Sequence, residues 1–399
     1  MTFINIKNYK KQDYLKKSKI GLIISGKTNY YSASSCIRLL SPLNELVTNY
    51  SIEIIDNETI PQFKDDLIKK KIVFDLIIIQ RDILLNSFFN EYEFIKKLYE
   101  ECKNNNIPII FDIDDDLLNI DSTHIDYEVY DKIQPILKYI LLNSNIITVP
   151  NITLKDQILK FNKNITVKII PNTLIKLWEF SNDKLITKNL RLNDTIKIGY
   201  FGGNSHKDDL KIIEKPINNV INHFTDKHIT FELVGITNDD SEWITKINIP
   251  NNYNTNPTTI NIIKNITSKI LQKLNLYDQR LPFCSFVNWI KNEIDWDIAV
   301  APLEDTNINL SKSNLKYLEY TALNIPGVYS DIGPYKEIGE KNTGIVVNNT
   351  NEEWTNALIS LIEDYELYAT ILKNAHEDVG KNYMVKNASS IWKEVLNNL

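Results

Sequence analysis

Lys312, Lys316 and Glu319 are spaced four and three residues apart, so a helix over this stretch carries all three on one face. Such a face offers cations to phosphate and a carboxylate to sugar hydroxyls, the needs of a nucleotide diphosphate sugar. An ordinary solvated helix has the same spacing, so the neighbouring segments decide. Asn324-Ile-Pro-Gly327-Val-Tyr-Ser330 is a short apolar stretch, and Ser330-Asp331-Ile-Gly333-Pro334 reads as the turn that ends it.

Three further stretches carry polar groups next to apolar runs. Ile198-Gly-Tyr-Phe-Gly202-Gly203-Asn204-Ser205-His206-Lys207-Asp208-Asp209-Leu210 reads as strand, glycine turn and helix start. Glycines let backbone N–H groups approach a phosphate, and the helix end adds positive potential. Lys207 supplies charge there, with Asn204, Ser205 or His206 as hydrogen-bond donors. The stretch is neither a dinucleotide GxGxxG fingerprint nor a P-loop, and a ligand-free tight turn has the same look. The acidic run Asp112-Ile-Asp114-Asp115-Asp116 puts four carboxylates in five positions, which must face solvent, a cation or a hydroxyl-rich ligand. Helix capping accounts for at least one of them, a sugar contact is the preferred use of another, and a magnesium site on Asp112, Asp114 and Asp116 is the rarer outcome. Gly26 to Ser35 is a small, polar loop with Arg38 behind it, suited to closing on a substrate or to simple connection.

Those groups need strands to hold them. In the first half, near-continuous Ile/Val/Leu runs predict strands at Ile20–Ser25, Ile52–Asp56, Phe74–Gln80, Ile107–Asp112, Ile146–Val149 and Val167–Ile170, with helices at Leu85–Asn104 and Tyr127–Leu142. The rhythm breaks near Pro171-Asn172, and Trp178 and Phe180 anchor a connector. A second series is predicted at Ile196–Phe201, Ile229–Val234, Phe283–Val287, Ile298–Ala301, Gly327–Ser330 and Gly344–Val347, with a loop at 248–260 and helices from Glu352 onward. The class is α/β, two doubly wound domains facing each other, with ligands expected at the carboxyl ends of the strands.

A chain of 399 residues suits two domains, and 43% hydrophobic residues supply their cores. The net charge of -6 argues against a general nucleic-acid binder. Cys36, Cys102 and Cys284 lie far apart, without zinc spacing or a disulfide framework, so a reducing cytosol is expected. His124, His223, His228 and His376 likewise lack metal-ligand spacing and read as structural or surface residues. No apolar run is long enough to span a membrane, residues 1–11 do not read as a signal peptide, and peripheral attachment stays open.

Taken in order, Ile198–Asp209, Pro302-Leu303, Lys316-Tyr-Leu-Glu319-Tyr-Thr-Ala-Leu-Asn-Ile-Pro326, Ser330-Asp-Ile-Gly333-Pro-Tyr-Lys-Glu337 and Gly344-Ile-Val-Val347 resemble the nucleotide-binding half of a GT-B glycosyltransferase. The retaining glycosyltransferase 4 type, which builds bacterial surface polysaccharides, is the group most similar. Pro171-Asn172-Thr173 looks like the end of its first domain. The resemblance implies two Rossmann-like domains across a cleft: an acceptor domain at 1–175, a connector at 176–195, a donor domain at 196–375 and a helix at 376–399 returning toward the first domain. It implies no required cofactor or metal, a UDP-, GDP- or dTDP-sugar donor, and a hydroxyl on a glycan or lipid-linked acceptor. Work in the cytoplasm, at the inner face of the membrane, would fit that chemistry.

By the same resemblance, Glu319 holds the ribose hydroxyls, and Lys316 with Lys207 or Lys312 neutralises the diphosphate. Gly202 and Gly203 cradle the phosphates. Asp331 and Gly333 belong to the loop near the donor, and Asp114 or Asp115 lies where the first domain approaches the sugar. One position departs from the family's Glu-x7-Glu pattern, because Ser311 stands where the earlier glutamate belongs. Either another residue, such as one of the acidic run, takes that part, or activity is weak or absent. A sugar-nucleotide-binding subunit without catalysis, or a nucleotide-sugar epimerase, are the alternatives.

Overall fold

The computed structural model describes residues 17–399 apart from 28, 29, 88, 90, 123, 125, 182, 184, 204, 205, 236–244 and 248–281. The predicted loop at 248–260 and residues Asn204 and Ser205 thus lie outside the described residues. The chain divides into two compact units. Unit 1 joins Met1–Lys176, Asp305–Leu315 and Lys381–Leu399, and unit 2 joins Leu177–Glu304 and Lys316–Gly380.

Unit 1 is built on strands β1 (Ser18–Ile23), β2 (Tyr50–Ile55), β3 (Leu76–Gln80), β4 (Ile109–Asp112), β5 (Ile146–Val149) and β6 (Val167–Ile169). They pair in parallel in the order β2-β1-β3-β4-β5-β6. All five residues of β3 are buried, as a central strand covered on both faces requires. Helices Ile60–Ile68, Tyr92–Asn104 and Tyr127–Asn143 contribute Phe63, Leu67, Leu98, Cys102, Leu137 and Leu141 to the core. Chain order reverses between β1 and β3, which opens a crevice at the carboxyl ends of these two strands.

One buried ion pair gathers the edge of this sheet. Arg38 grips Asp112, the last residue of β4, through both guanidinium and carboxylate forks at 2.6 and 3.2 Å. The side chains are 1% and 0% exposed. Thr148 of β5 donates to the same carboxylate at 2.7 Å. Arg38 also donates to the Ile170 carbonyl and to Asn172 Oδ1, and its own carbonyl accepts from the indole of buried Trp392 at 3.1 Å. The Val385–Asn397 helix is thereby fastened to the helical stretch that follows β1.

Unit 2 carries β7 (Thr195–Phe201), β8 (His228–Val234), β9 (Thr245–Ile247), β10 (Ile298–Ala301), β11 (Gly327–Ser330) and β12 (Ile345–Val347). Their order is β12-β11-β10-β7-β8-β9, again all parallel. Counted from β7 this is the doubly wound order of nucleotide-binding sheets, with its reversal between β7 and β10. Gly199 lies mid-strand in β7 because the indole of Trp296 covers it. A Cβ there would sit 1.9 Å from the ring. The Lys207–His223 helix turns Leu210, Ile213, Ile217 and Val220 inward at helical spacing and packs beside the Asn351–Glu363 helix.

The predicted strand at Phe283–Val287 is instead a helix, Phe283–Glu293. Its buried Val287 and Ile290 recur at helical spacing, and eleven residues exceed the usual length of a strand. β9 had no counterpart in the expected series.

Replacing Arg38 with Met leaves Asp112 charged and unpaired in the interior, which costs about 3–5 kcal/mol. Urea unfolding of R38M should show a loss of that size, and an unchanged midpoint would show that the pair does not hold the sheet edge.

Candidate functional site

In unit 2 the crevice at the strand reversal is bounded by the segments that follow β7 and β10. After β7, the Gly202 N–H donates to the Val234 carbonyl at 3.0 Å, extending the sheet by one bond. A Cβ on Gly202 would lie 2.4 Å from the Tyr200 hydroxyl, so the turn needs a glycine. Gly203 is exposed, and its carbonyl accepts from the His206 N–H at 3.1 Å. Lys207 is exposed in the first turn of the following helix. His206 Nδ1 lies 2.8 Å from Asp209 Oδ2.

The segment after β10 is fixed from two sides. Its Glu304 N–H donates to Asp209 Oδ1 at 2.7 Å. Its Leu303 N–H donates to Ser330 Oγ at 2.8 Å, and the Leu303 carbonyl accepts from Asn349 Nδ2 at 2.7 Å. Ser330 ends β11, so three strand ends share one set of hydrogen bonds.

Lys316 and Glu319 lie in the Leu315–Ala322 helix. Lys316 Nζ sits 4.3 Å over the ring of Phe201, the residue before the glycine turn, and 5.7 Å over Tyr200. It also lies 3.9 Å from Glu319 Oε2. Of the two side chains Glu319 is the inner, 4% exposed against 20% for Lys316. Burial pushes the Glu319 carboxyl up to about 7, against the opposing pull of Lys316. Asp331 is exposed at its side chain, and its N–H donates to the Val347 carbonyl at 2.7 Å. Gly333 begins the turn Gly333–Tyr335 with a φ of +33°. The start of the Lys207–His223 helix and Lys316 thus lie by the end of β7, an arrangement that can hold a phosphate with a carboxylate beside it.

In unit 1 the acidic run has other partners. Asp114 is bound by Arg81 and by the Ser34 hydroxyl, and Asp115 pairs with Arg81 at 2.6 Å. Burial alone would lower the Arg81 guanidinium, but Asp114, Asp115 and Asp82 outweigh it and hold it well above its usual range. Burial would raise the Asp114 carboxyl, and Arg81 with Ser34 reverses that and lowers it. Asp82 is raised, chiefly by burial, and it accepts from the Ser32 hydroxyl. Asp112 belongs to Arg38. Asp116 accepts from the backbone of Leu118 and Asn119 and so caps a turn, well before the next helix starts at Tyr127. Ser32, Ser34, Arg81 and Asp82 follow β1 and β3, the strands at that sheet's reversal.

Ser311 and Lys312 lie in the part of unit 1 contributed by Asp305–Leu315. Asn151 Nδ2 donates to both of their carbonyls at 2.9 Å. The Ser311 hydroxyl is buried and has no hydrogen-bond partner among the described residues. Asn172 connects Arg38 to the same segment, donating to Ser313 Oγ at 2.8 Å.

Gly202, Gly203, His206, Lys207, Lys316, Glu319, Asp331 and Gly333 belong to unit 2, and Asp114, Asp115 and Lys312 to unit 1, where Lys312 meets Asn151 and the two aspartates meet Arg81. Two residues to which the sequence reading assigns no role matter most. Arg81 directly follows the buried strand β3, a position that could have marked it as counter-charge for the acidic run. Asp209 stands three residues after His206, one helical turn away.

No family model matches the chain, and no curated protein matches it. Solved structures do. Anabaena HepE in complex with UDP-glucose is 12% identical, with a TM-score of 0.55 over 96% of this chain and 100% of that one. A sucrose-phosphate synthase of Thermosynechococcus elongatus is 11% identical, with a TM-score of 0.56 over 96% and 99%. A Listeria monocytogenes protein assigned provisionally as a UDP-N-acetylglucosamine 2-epimerase is 10% identical, with a TM-score of 0.50 over 96% and 98%. At these identities the likeness is one of fold: α/β, two parallel-sheet units, of the GT-B class.

Glu319 ties this crevice to pH. Its folded value of about 7 lies above the ordinary 4.5, so between those values the folded chain holds a proton that the unfolded chain has lost. Its contribution is complete below pH 4.5 and is lost as pH rises to about 7. The stability difference between the wild type and E319Q should therefore change across that window by on the order of 3 kcal/mol. Parallel stability–pH curves would contradict a buried, raised carboxyl.

Proposed function

We propose that the chain is a glycosyltransferase that moves a sugar from a nucleotide diphosphate donor to a hydroxyl of a glycan or lipid-linked acceptor, with retention. One observation carries this reading: Lys316 lies against Phe201 at the foot of the Gly202-Gly203 turn, with Glu319 beside it. Sugar departure leaves negative charge on the diphosphate, and a fixed cation with backbone N–H groups at that point stabilises it as it forms. Glu319 takes the ribose hydroxyls. Unit 2 holds the donor. Unit 1, with its Ser32, Ser34, Arg81 and Asp82 crevice, takes the acceptor, while Asp114 and Asp115 keep Arg81 in place.

The structural likeness to HepE in complex with UDP-glucose supports a UDP-sugar among the UDP-, GDP- and dTDP-sugars considered. Polysaccharide assembly at the inner face of a membrane fits the acceptor class, and no helix among the described residues is long and apolar enough to cross one.

A second reading has its own observation. Ser311, where the family pattern has a glutamate, presents a buried hydroxyl and no charge. The chain would then bind sugar nucleotides without transferring the sugar. A donor panel with released nucleotide as readout separates the two readings. Transfer or slow donor hydrolysis supports the enzyme, and binding without either supports the binding subunit. In the enzyme, K316A should lower kcat/KM by at least about tenfold, or 1.4 kcal/mol. Unchanged turnover would remove Lys316 from the mechanism.

A further inference from the structure

Asp209 is 4% exposed and lies in the first turn of the Lys207–His223 helix. Its carboxylate reaches back to His206 Nδ1 at 2.8 Å and across the strand reversal to the Glu304 N–H at 2.7 Å. A carboxylate has no proton to give, so Nδ1 carries the hydrogen in that bond. Nε2 is then the nitrogen whose protonation sets the ring's charge, and an anion this close favours the cationic ring.

The other charged and titratable groups around His206 do not replace Asp209. On its own helix Lys207 is exposed, and Asp208 is paired outward with Lys211 at 2.6 Å. From β7, the Tyr200 ring lies 6.4 Å away, its hydroxyl raised chiefly by burial. From the segment after β10, the Glu304 carboxyl is raised by burial and then by Asp209 and Asp208.

We propose that Asp209 is a positioning residue that orients His206 and favours protonation of its ring when a nucleoside diphosphate binds, so that Nε2–H meets a phosphate oxygen where β7 and β10 part. The inference rests on the nucleotide-sugar reading and adds a group to it. When the bond between sugar and diphosphate breaks, its electron pair stays on the phosphate oxygen. The imidazolium stabilises that oxygen through a hydrogen bond and keeps its proton.

The test is calorimetric titration of the full chain with UDP, GDP and dTDP, followed by the nucleoside of whichever binds tightest. Work at about pH 8 keeps the terminal phosphate ionised. Two buffers of different ionisation heat report proton uptake. The wild type should take up protons with the diphosphate and none with the nucleoside. D209N keeps an oxygen for the Glu304 N–H but turns an N–H toward Nδ1, which moves the ring proton to Nε2 and removes the anion. Its diphosphate affinity should fall about tenfold, roughly the effect of one pK unit, with nucleoside affinity unchanged and proton uptake abolished. H206Q, at a residue 21% exposed, should show the same losses even if D209N fails to fold. Proton uptake and affinity retained in H206Q would overturn the inference, as would equal loss of diphosphate and nucleoside in a folded D209N. Wild-type diphosphate binding without proton uptake would overturn it alone. A wild type that binds none of the ligands would overturn the nucleotide-sugar reading as well.

Discussion

In a doubly wound parallel sheet every strand delivers its last residue to the same edge, and the order of strands reverses at one place. Both units obey this constraint, and the polar residues of interest follow from it. Gln80, Asp112, Phe201 and Ser330 are the last residues of their strands. The backbone leaves the sheet there, and its N–H and carbonyl groups need partners the ladder no longer provides. Side chains supply them: Arg38 at the edge of the first sheet, and Asp209, Ser330 and Asn349 at the edge of the second.

The two units meet the requirement with different charge arrangements. Arg38 and Asp112 form a sealed pair whose remaining hydrogen-bonding capacity goes to Thr148, Ile170 and Asn172, the condition under which a buried ion pair can be held without a large penalty. Arg81 faces three carboxylates and leaves its loop cluster net negative. In unit 2 the inner charge is Glu319, whose raised carboxyl is the cost of placing an acid among buried tyrosines with Lys316 as its nearby cation.

Much of this was legible in the sequence. The strands could be read because a sheet covered on both faces favours apolar runs: β3 has Leu76-Ile-Ile-Ile79, β4 Ile109-Ile-Phe111 and β10 Ile298-Ala-Val-Ala301, while β7 keeps Ile196 and Ile198 around Lys197. Lys316 and Glu319 share the Leu315–Ala322 helix as their spacing predicts, but Lys312 precedes its start and lies in unit 1, so the expected face of three is a face of two. The misread segment was Phe283–Val287, where a five-residue apolar window does not distinguish a strand from the first turns of a helix. Tertiary partners were out of reach for a different reason. Arg81 and Asp114 are 33 residues apart, and Asp209 and Glu304 are 95 apart. No local pattern encodes a hydrogen bond across such a separation. The acidic run was recognisable as unusual, but nothing within it named Arg81.

The segment after β10 is held by Asp209 on one side and by Ser330 and Asn349 on the other, each through a main-chain group. Such anchors do not depend on what the exposed Glu304 carries as a side chain. Exposed Glu304 is therefore open to drift over evolutionary time, whereas Leu303 is held by its burial and the three anchoring positions are constrained jointly. A lineage that lost one anchor would leave a main-chain group stranded far away in the sequence, so substitutions at Asp209, Ser330 and Asn349 would be expected to arise in concert.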